Sequence, residues 1–355
     1  MAEQTITGQL SASKIEGCPV FIPNNLKLFS SKLRLNDCEF CVSQNIDPIY
    51  TDTFKLYFYK FFAGDKSLVA GFADIAILDL YLWSEAKIAS SVYVKEVVNS
   101  AKRFAKVQDA LTAAKEYTKP LLLQQNKLLR PKDRVHGIRT TKMRAGNPNN
   151  NPYAFYCVPA EKIDALFADL LQFINSTEES TINKSLIGMM QFIFIHPFKD
   201  GNGRTSRALF IAMMQVQYGL EFCCVFMLFL KNINRRQYYV ALHDYRNGDI
   251  KNLKQFYLKA ITWVNKSIVV LQDLLTEYTN KVGKHNLENQ QVYSQLVVKA
   301  DENQKMDKTI FQLHSKKGKY HIYTNTALLN VLNQFDYYLR YELRKSHIEN
   351  QSICQ

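Results

Sequence analysis

The spacing of apolar residues predicts a mostly helical chain. Apolar side chains recur every three or four positions over long stretches that contain few helix-breaking residues. The helices predicted in this way cover 67–95, 96–112, 112–129, 159–174, 182–195, 204–217, 233–246 and 249–280. Pro159 is a favourable residue for the first turn of the helix that it opens. We therefore expect a helical bundle at the centre of the fold.

Other stretches depart from the helical pattern. Residues 1–60 are predicted to be irregular, with three prolines and short strand-like runs. Residues 130–157 form a long stretch rich in glycine, proline and asparagine, and a long loop inside a helical domain is often functional. Residues 281–290 are polar and resemble a linker. We expect three parts: an N-terminal region 1–95, a central domain 96–280 and a C-terminal module 281–355.

The C-terminal module has mixed character. It contains a helix candidate, a lysine-rich turn at 316–319, a strand-like run at 320–323 and a last helix. Helices followed by a short basic hairpin permit a winged helix as one interpretation of this module.

Composition and charge narrow the class of protein. Of 355 residues, 47% are hydrophobic and 22% are charged, which excludes a disordered chain, a collagen-like chain and a coiled-coil rod. Lysine and arginine number 45 against 32 acidic residues, so the net charge is +13. That excess indicates a polyanionic partner, which could be nucleic acid, a membrane surface or nucleotide phosphates.

Cysteine use and apolar runs indicate a protein of a reducing compartment. The seven cysteines are scattered and do not form a secreted disulfide framework, and the lone pair Cys38 and Cys41 is interpreted as two ordinary thiols. The longest purely apolar run, 222–230, is well short of the ~20 residues that span a bilayer. The first residues lack the order of a signal peptide. We expect no membrane partner and a cytoplasmic location.

The segment 193–207, IFIHPFKDGNGRTSR, combines groups that suit phosphate chemistry. Pro197 disfavours helix in the residue before it, so His196 should lie at the end of an apolar helix. From there a histidine can take a proton from a hydroxyl group. Asp200 follows closely, and a carboxylate can hold Mg²⁺ on phosphate oxygens.

The residues after Asp200 predict an anion-binding cradle. Gly201, Asn202 and Gly203 permit a backbone that turns several N–H groups toward one point. The helix that begins near Arg204 directs its positive end to the same point, and Arg204 and Arg207 share one helix face. A histidine and a carboxylate beside such a cradle suit phosphoryl or nucleotidyl transfer.

The same segment resembles the Fic family. HPFKDGNGRTSR matches the Fic motif HPFx(D/E)GN(G/K)RxxR at every specified position. Further stretches are similar to features of this family and together span roughly 20–280: the flap at 137–146, the helix start at 158–161, the later segment at 238–249 and the inhibitory helix at 85–91. The resemblance implies a helical Fic-type bundle with a short β-hairpin flap.

The resemblance also implies an activity, which is transfer of AMP from ATP to a hydroxyl side chain of a target protein. His196 would deprotonate the target Ser, Thr or Tyr, and Asp200 would hold Mg²⁺ on the α- and β-phosphates. Gly201, Asn202 and Gly203 would line the hole for the α-phosphate, and Arg204 and Arg207 would hold the outer phosphates. Arg139 and Gly146 would belong to the flap that docks the target. Tyr239 is a candidate for the adenine pocket and equally a core aromatic residue.

Two positions qualify what the resemblance implies. Kinase-like relatives have lysine where this chain has Gly203, so AMP transfer is favoured over phosphorylation. In the inhibitory segment, the family's Ile-Glu-Gly is replaced by Tyr93, Val94 and Lys95. We expect inhibition by an intrinsic glutamate to be weak or lost, with Glu16 a less favoured replacement. The missing glutamate also disfavours removal of AMP from a target.

A second function remains open from the sequence. The basic tail could bind DNA, with the Fic part acting as a sensor or autoregulator, and the net charge fits this hypothesis as well as the first. The expected partners are a protein substrate on the flap, DNA at the C-terminal module in the second hypothesis, and a second copy of the chain in a homodimer.

Overall fold

The protein is mostly helical in the computed structural model, with short antiparallel strands. The structure describes residues 8–10, 21–23, 46–62, 75–88, 91–130, 136–145, 155–178, 180–230, 235–246, 249, 251–283 and 290–352. The helices are α1 (Thr51–Tyr59), α2 (Ile77–Tyr81), α3 (Val92–Thr112), α4 (Lys119–Leu129), α5 (Ile163–Asn175), α6 (Thr181–Ile195), α7 (Asn202–Tyr218), α8 (Leu220–Leu228), α9 (Arg235–Arg246), α10 (Lys251–Val282), α11 (Gln290–Tyr293) and α12 (Thr326–Ser352).

The strands belong to small antiparallel sheets. They are β1 (Gly8–Leu10), β2 (Phe21–Pro23), β3 (Arg144–Ala145), β4 (Phe155–Tyr156), β5 (Val297–Asp301), β6 (Phe311–Lys317) and β7 (Tyr320–Asn325). β1 pairs with β2, and β3 pairs with β4. The C-terminal strands form a three-stranded sheet in the order β5-β7-β6. Short 3-10 turns lie at Pro48–Tyr50 and Ala160–Lys162, and a π-helical turn lies at Leu82–Ala86.

The chain divides into two compact units. The first comprises the described residues of 1–41 and 106–263, and the second those of 42–105 and 264–355. The predicted division at 95 and 280 stays a prediction about domains. Within the described ranges, no helix combines the length and apolarity needed to cross a lipid bilayer.

Helix α6 forms the centre of the first unit. Nearly all of its side chains are buried, because α5 and α7 pack against it. Gly188 permits the close approach of α5, since a Cβ atom there would lie 2.8 Å from Ile174 Cγ2. On the other side, Ser206 Oγ of α7 donates to Met189 O of α6 at 3.2 Å. The two helices that flank the predicted motif are therefore the best-packed pair of this unit.

The start of α4 is set by local hydrogen bonds. Thr118 Oγ1 accepts from the N–H of Leu121 at 3.3 Å, and Pro120 occupies the first turn. Asn175 binds both the N–H and the carbonyl of Tyr117, each at 2.9 Å, and so joins the end of α5 to the start of α4. The sequence has the small polar residues that each of these caps requires.

The second unit is built on the C-terminal sheet and helix α12. Asn325, at the end of β7, donates through Nδ2 to Tyr278 Oη at 2.8 Å and to Tyr293 O at 3.0 Å. Its Oδ1 accepts from the N–H of Leu328 at 2.9 Å and so caps α12. The expected basic hairpin around the lysine-rich turn is confirmed as β6 and β7, and the last helix is confirmed, whereas β5 was not expected. The winged-helix interpretation is not confirmed.

Two expectations for the N-terminal part are corrected. Residues 1–60 were expected to be irregular, but α1 forms there after Asp47, whose side chain accepts from the N–H of Ile49 at 3.0 Å. Aromatic residues obscured its helical pattern, and burial of side chains such as Phe54 and Phe58 stabilises it. The helix expected over 67–95 is interrupted, because α2 passes into the π-helical turn and Lys87 adopts φ 59°.

Candidate functional site

His196 ends helix α6 in the position that the sequence predicted. Its φ of 50° is left-handed, and its N–H donates to Phe192 O at 2.9 Å. The imidazole is half-buried, and Nδ1 lies 3.2 Å from Ile193 O. A carbonyl is an acceptor only, so this contact places the ring proton on Nδ1. In that tautomer Nε2 has the lone pair that can accept a proton from a substrate.

Arg139 fixes the end of α6 from the interior. Its side chain is 1% exposed, and its guanidinium donates to Ile195 O at 3.0 Å and His196 O at 2.7 Å. Thr141 O at 2.9 Å and Val158 O accept the remaining hydrogen bonds. Burial lowers the pKa of Arg139 from its ordinary value. A buried cation with this many carbonyl partners holds the histidine backbone rigidly.

The expected flap is present next to the motif. β3 and β4 form a short antiparallel hairpin, and a β-bridge joins Ile138 to Phe198. The N–H of Arg139 donates to Pro197 O at 2.9 Å, so the strand that leads into the flap pairs with the motif loop. Gly146 lies outside the described residues. The role of the flap in docking a target stays a prediction.

Asn202 shapes the loop between α6 and α7. Its Oδ1 accepts from the N–H of Phe198 at 2.9 Å, and its Nδ2 donates to Phe198 O at 2.8 Å. The side chain is 1% exposed, so it closes the turn from inside instead of facing a ligand. What Asn202 can offer to a phosphate is its backbone N–H at the start of α7.

Gly201 is required at the start of α7 for two reasons. Its φ of 78° is left-handed, a region that side-chain-bearing residues rarely adopt. A Cβ atom there would also lie 2.7 Å from Asn126 Nδ2 and 2.8 Å from Arg130 Cδ. The backbone N–H groups that follow it have no acceptor within the helix, so they can donate to a ligand.

Asp200 lies at the rim of the site and has partners on α4. Its carboxylate is 61% exposed, and Oδ2 pairs with Arg130 Nη2 at 2.9 Å while Oδ1 accepts from the N–H of Gly201. Asn126 Nδ2 donates both to Asp200 O at 3.0 Å and to Thr205 Oγ1 at 3.1 Å. Sequence analysis missed Arg130 and Asn126, because nothing in the sequence signals a contact with a segment some 70 residues away.

Arg204 and Arg207 bring positive charge to the interior of the site. Arg204 is 8% exposed, and its Nη1 donates to Leu129 O at 3.3 Å. Burial and the nearby charge of Arg204 lower the pKa of Arg207 to about 10, and the phenol of Tyr238 acts in the opposite direction. Arg207 is still a cation at neutral pH, so two mutually repelling guanidinium groups lie one helical turn apart. Such a pair favours a bound anion.

Tyr238 is the member of the tyrosine pair on α9 whose side chain the structure describes. Tyr238 lies beside Phe256, with ring centroids 5.5 Å apart, and it acts electrostatically on Arg207. The side chain of Tyr239, the predicted adenine contact, lies outside what the structure describes. Tyr238 is therefore a site neighbour that the sequence analysis did not choose, and only the doubled tyrosine indicated it.

The residues of the site fit Mg²⁺ bound together with a nucleotide. Mg²⁺ in such sites is held by one or two carboxylates plus phosphate oxygens. Asp200 supplies one exposed carboxylate, and the described residues contain no cluster of three or more side chains that would bind a metal without a phosphate. Arg130 pairs with Oδ2 of this carboxylate, so it would compete with a cation for that oxygen atom.

The regulatory expectations are tested only in part. Glu16 lies outside the described residues. In the segment 85–91, Glu85 belongs to the π-helical turn, and Ser91 Oγ accepts from the N–H of Val94 at 3.2 Å at the start of α3. Val94 is buried at the position where the family has glutamate. The loss of glutamate inhibition stays a prediction.

Comparison with known proteins agrees with the motif. Residues 118–214 match the model of the Fic/DOC family. The protein adenylyltransferase fic-1 of Caenorhabditis briggsae is 29% identical over 127 residues, and that of Caenorhabditis elegans is 27% identical over 125 residues. Each alignment covers 34% of this chain and 22% of the relative. The chain therefore spans about a fifth of the length of the curated relatives it matches.

Solved structures with a similar backbone are distant in sequence. A Fic family protein from Desulfovibrio desulfuricans G20 is 16% identical with a TM-score of 0.46, and the match covers 79% of this chain and 97% of that one. A Fic domain containing signaling protein from Bacteroides thetaiotaomicron VPI-5482 is 14% identical with a TM-score of 0.45, covering 69% and 94%.

Proposed function

The chain contains a Fic/DOC family domain at residues 118–214, and from that premise we propose that it transfers AMP from ATP to a hydroxyl side chain of a target protein. One observation carries the proposal. A histidine whose ring proton is placed on Nδ1 is joined by a five-residue loop to a helix start that carries the buried Arg204 and the half-buried Arg207. The histidine supplies a base, and the helix start with its arginines binds phosphates.

The reaction balances with the groups that are present. Nε2 of His196 takes the proton of the target hydroxyl, whose oxygen attacks the α-phosphorus of ATP. A new P–O bond forms to the target, the bond between the α-phosphorus and the bridging oxygen breaks, and pyrophosphate leaves. The role of the base is worth roughly 10²–10⁴-fold in rate. Mg²⁺, when bound, neutralises charge on the phosphates.

The start of α7 holds the nucleotide in this proposal. The backbone N–H groups of Asn202 and Gly203 bind the α-phosphate, and the guanidinium groups of Arg204 and Arg207 bind the outer phosphates. Asp200, at the exposed rim, would hold Mg²⁺. Tyr239 stays a candidate for the adenine contact, with Tyr238 as its neighbour on the Arg207 side.

Gly203 supports AMP transfer over phosphorylation. A Cβ atom at this position would lie 3.2 Å from Arg207 Nη1, so the space beside Gly203 is taken by that guanidinium. A lysine here would have to displace Arg207 and would change how the phosphates are held. The glycine therefore supports the orientation of ATP in which the α-phosphate is presented to the target.

Two further features complete the proposal. A target segment docks on the β3–β4 flap by strand addition, a mode that tolerates different sequences.

The described cysteines, Cys157, Cys223 and Cys224, are buried thiols, which supports action in a reducing compartment such as the cytoplasm. Homodimer formation stays a prediction.

The test is a comparison of two labels. The purified full chain is incubated with cell lysate and with ATP labelled at either the α- or the γ-phosphate, with and without Mg²⁺. We expect protein to be labelled from the α-position only. Labelling from the γ-position only would indicate a kinase, and no labelling by a folded sample would contradict the enzyme proposal.

A further inference from the structure

Lysine side chains converge on the π-helical turn of the second unit. Nζ of Lys87 donates to Ser84 O at 2.9 Å, and Nζ of Lys102 reaches the same oxygen at 3.4 Å. Nζ of Lys87 and of Lys95 lies over the ring of Trp83, at 5.5 and 4.9 Å from its centroid. Three ammonium groups are thus gathered around one turn of backbone.

The C-terminal sheet presents a second group of lysines next to this turn. Lys299 and Lys319 lie over the ring of Tyr320, with Nζ at 3.8 and 5.3 Å from its centroid. Lys317 pairs with Tyr320 across β6 and β7, and its Nζ lies 3.5 Å from Ala86 O of the π-helical turn. This contact makes the two groups one continuous surface. We call it the lysine surface: Lys87, Lys95, Lys102, Lys299, Lys317 and Lys319.

The ammonium groups of the lysine surface are not paired with carboxylates in the described part of the chain. None of its six ammonium groups forms an ion pair there. Acidic residues do lie close by: Glu96 follows Lys95 in the sequence, and the N–H of Glu302 donates to Lys319 O at 3.1 Å. Asp301 pairs with Tyr320 across the strands, and Glu85 Oε1 accepts from Ser84 Oγ. Six like charges placed together repel each other, so this arrangement favours an anion from outside.

The backbone under the lysine surface is unusual as well. π-Helical turns are rare and occur often at functional sites. This one ends at Lys87, whose φ of 59° is left-handed although the residue is not glycine. Such a conformation is strained and persists where the surroundings hold it. The strain places the Lys87 ammonium on Ser84 O and beside Trp83.

The chemistry of the surface indicates which anion it suits. Its charged groups are all lysines, which attract phosphate as point charges. They lack the planar guanidinium with which arginine binds a single phosphate through two hydrogen bonds. The charges extend over a helix, a turn and a sheet, so they match a chain of phosphates better than one small molecule. The two aromatic rings are covered by ammonium groups, which disfavours insertion into a lipid surface. We propose that the lysine surface binds the phosphate backbone of a nucleic acid without regard to sequence.

The test measures binding of labelled oligonucleotides to the full chain by fluorescence anisotropy over a range of salt concentrations. Log affinity should fall linearly with log salt. In the variant Lys87→Gln/Lys95→Gln/Lys102→Gln, affinity at low salt should fall by about tenfold or more, and the salt slope should lose about 2, since each contact on a single strand contributes ~0.7. Circular dichroism confirms that the variant is folded.

A matched control separates this surface from net charge alone. Lys259, Lys266 and Lys281 are exposed on α10 and form no ion pair in the described residues. Changing these three to Gln removes the same charge and should leave the affinity within about twofold. Equal losses in both triple variants would overturn the proposal.

A second readout locates the bound strand. The chain has two tryptophans, so a Trp263→Phe background leaves Trp83 as the only indole. Its emission should change on titration with oligonucleotide, and an unchanged emission during binding contradicts the proposed surface.

Binding of phosphatidylserine vesicles without binding of oligonucleotides would also overturn the proposal in favour of a membrane. AMP transfer is measured separately and should be equal in both triple variants, so the two proposals fail independently.

Discussion

The two helix ends that meet at the motif loop satisfy their backbone groups in opposite ways. At the end of α6, the carbonyls of Ile195 and His196 accept hydrogen bonds from Arg139, a side chain of the protein itself. At the start of α7, the N–H groups after Gly201 have no acceptor within the helix, and two arginines add positive charge. The fold itself supplies hydrogen-bond donors to the end of α6, whereas the N–H groups at the start of α7 can donate to the nucleotide that we propose binds there.

Two arginines of this motif region differ in what surrounds them. Arg139 is surrounded by carbonyl oxygens, so its charge is stabilised without a ligand. Arg207 lies near another guanidinium, and its pKa is lowered to about 10. We infer that Arg139 contributes to folding and to the position of His196, whereas Arg207 contributes to binding. Substitution of Arg139 should therefore lower the free energy of unfolding, whereas substitution of Arg207 should lower the affinity for ATP.

The largest effect on stability is expected for Arg139→Met. Loss of the guanidinium leaves buried carbonyls without donors, so the free energy of unfolding should fall by about 3 kcal/mol in urea denaturation. Arg144→Met is the control, because the exposed Arg144 guanidinium stacks 4.3 Å from the centroid of Tyr156 and should cost less than about 1 kcal/mol. Equal losses in the two variants would remove the special role of Arg139.

Arg207→Met should separate binding from folding. The free energy of unfolding should change by less than about 1 kcal/mol, since a half-buried charge that lies near the guanidinium of Arg204 is replaced by an apolar chain. The dissociation constant for ATP should rise about 30-fold, which corresponds to the roughly 2 kcal/mol of a charged hydrogen bond. Calorimetric titration measures the affinity, and Arg207→Lys should recover part of it. A variant that unfolds like Arg139→Met would contradict the comparison.

The two glycines of the loop provide a paired test of the α7 start. Gly201→Ala should destabilise the protein by about 1.5 kcal/mol, because φ is left-handed and the new Cβ meets α4. Gly203→Ala places its Cβ 3.2 Å from the flexible end of Arg207 and should mainly reduce ATP affinity. Thermal unfolding and ATP titration of both variants distinguish the effects, and the reverse order of stability would refute this account of the loop.

The smallest effect is expected at the rim. Arg130→Gln should lower the Mn²⁺ concentration needed for half-saturation by about two- to fivefold in the presence of ATP, because an exposed ion pair contributes up to ~1 kcal/mol. Electron paramagnetic resonance of free Mn²⁺ measures this without any turnover. Lys127→Gln, an exposed lysine on α4, removes the same charge and should leave the midpoint unchanged. A higher midpoint in Arg130→Gln would mean that Arg130 supports metal binding.

The sequence predicted the central helices and the motif because local patterns determine them. The expected helix 182–195 is observed as Thr181–Ile195, and 204–217 as Asn202–Tyr218. Pro197 and Gly201 mark the boundaries between these helices, because proline disfavours helix in the residue before it and glycine permits the left-handed turn. The motif positions follow from the same local rules, and their roles as a catalytic site stay proposals.

Other features depend on contacts that periodicity does not encode. Arg130 meets Asp200 only because α4 packs beside the loop, and the burial of Arg139 becomes visible only in the folded chain. Strand β5 lacks a clear alternation and forms through pairing with β7. Helix α1 is stabilised by burial of aromatic residues that do not favour a helix by themselves.

The most direct test of the central claim is transfer of label from α-labelled ATP to lysate protein by three forms of the full chain. The wild type and His243→Ala, which removes an exposed histidine on α9, should label protein at equal rates. His196→Ala should lose at least about 100-fold in rate while it retains ATP binding. Undiminished labelling by folded His196→Ala would contradict the account.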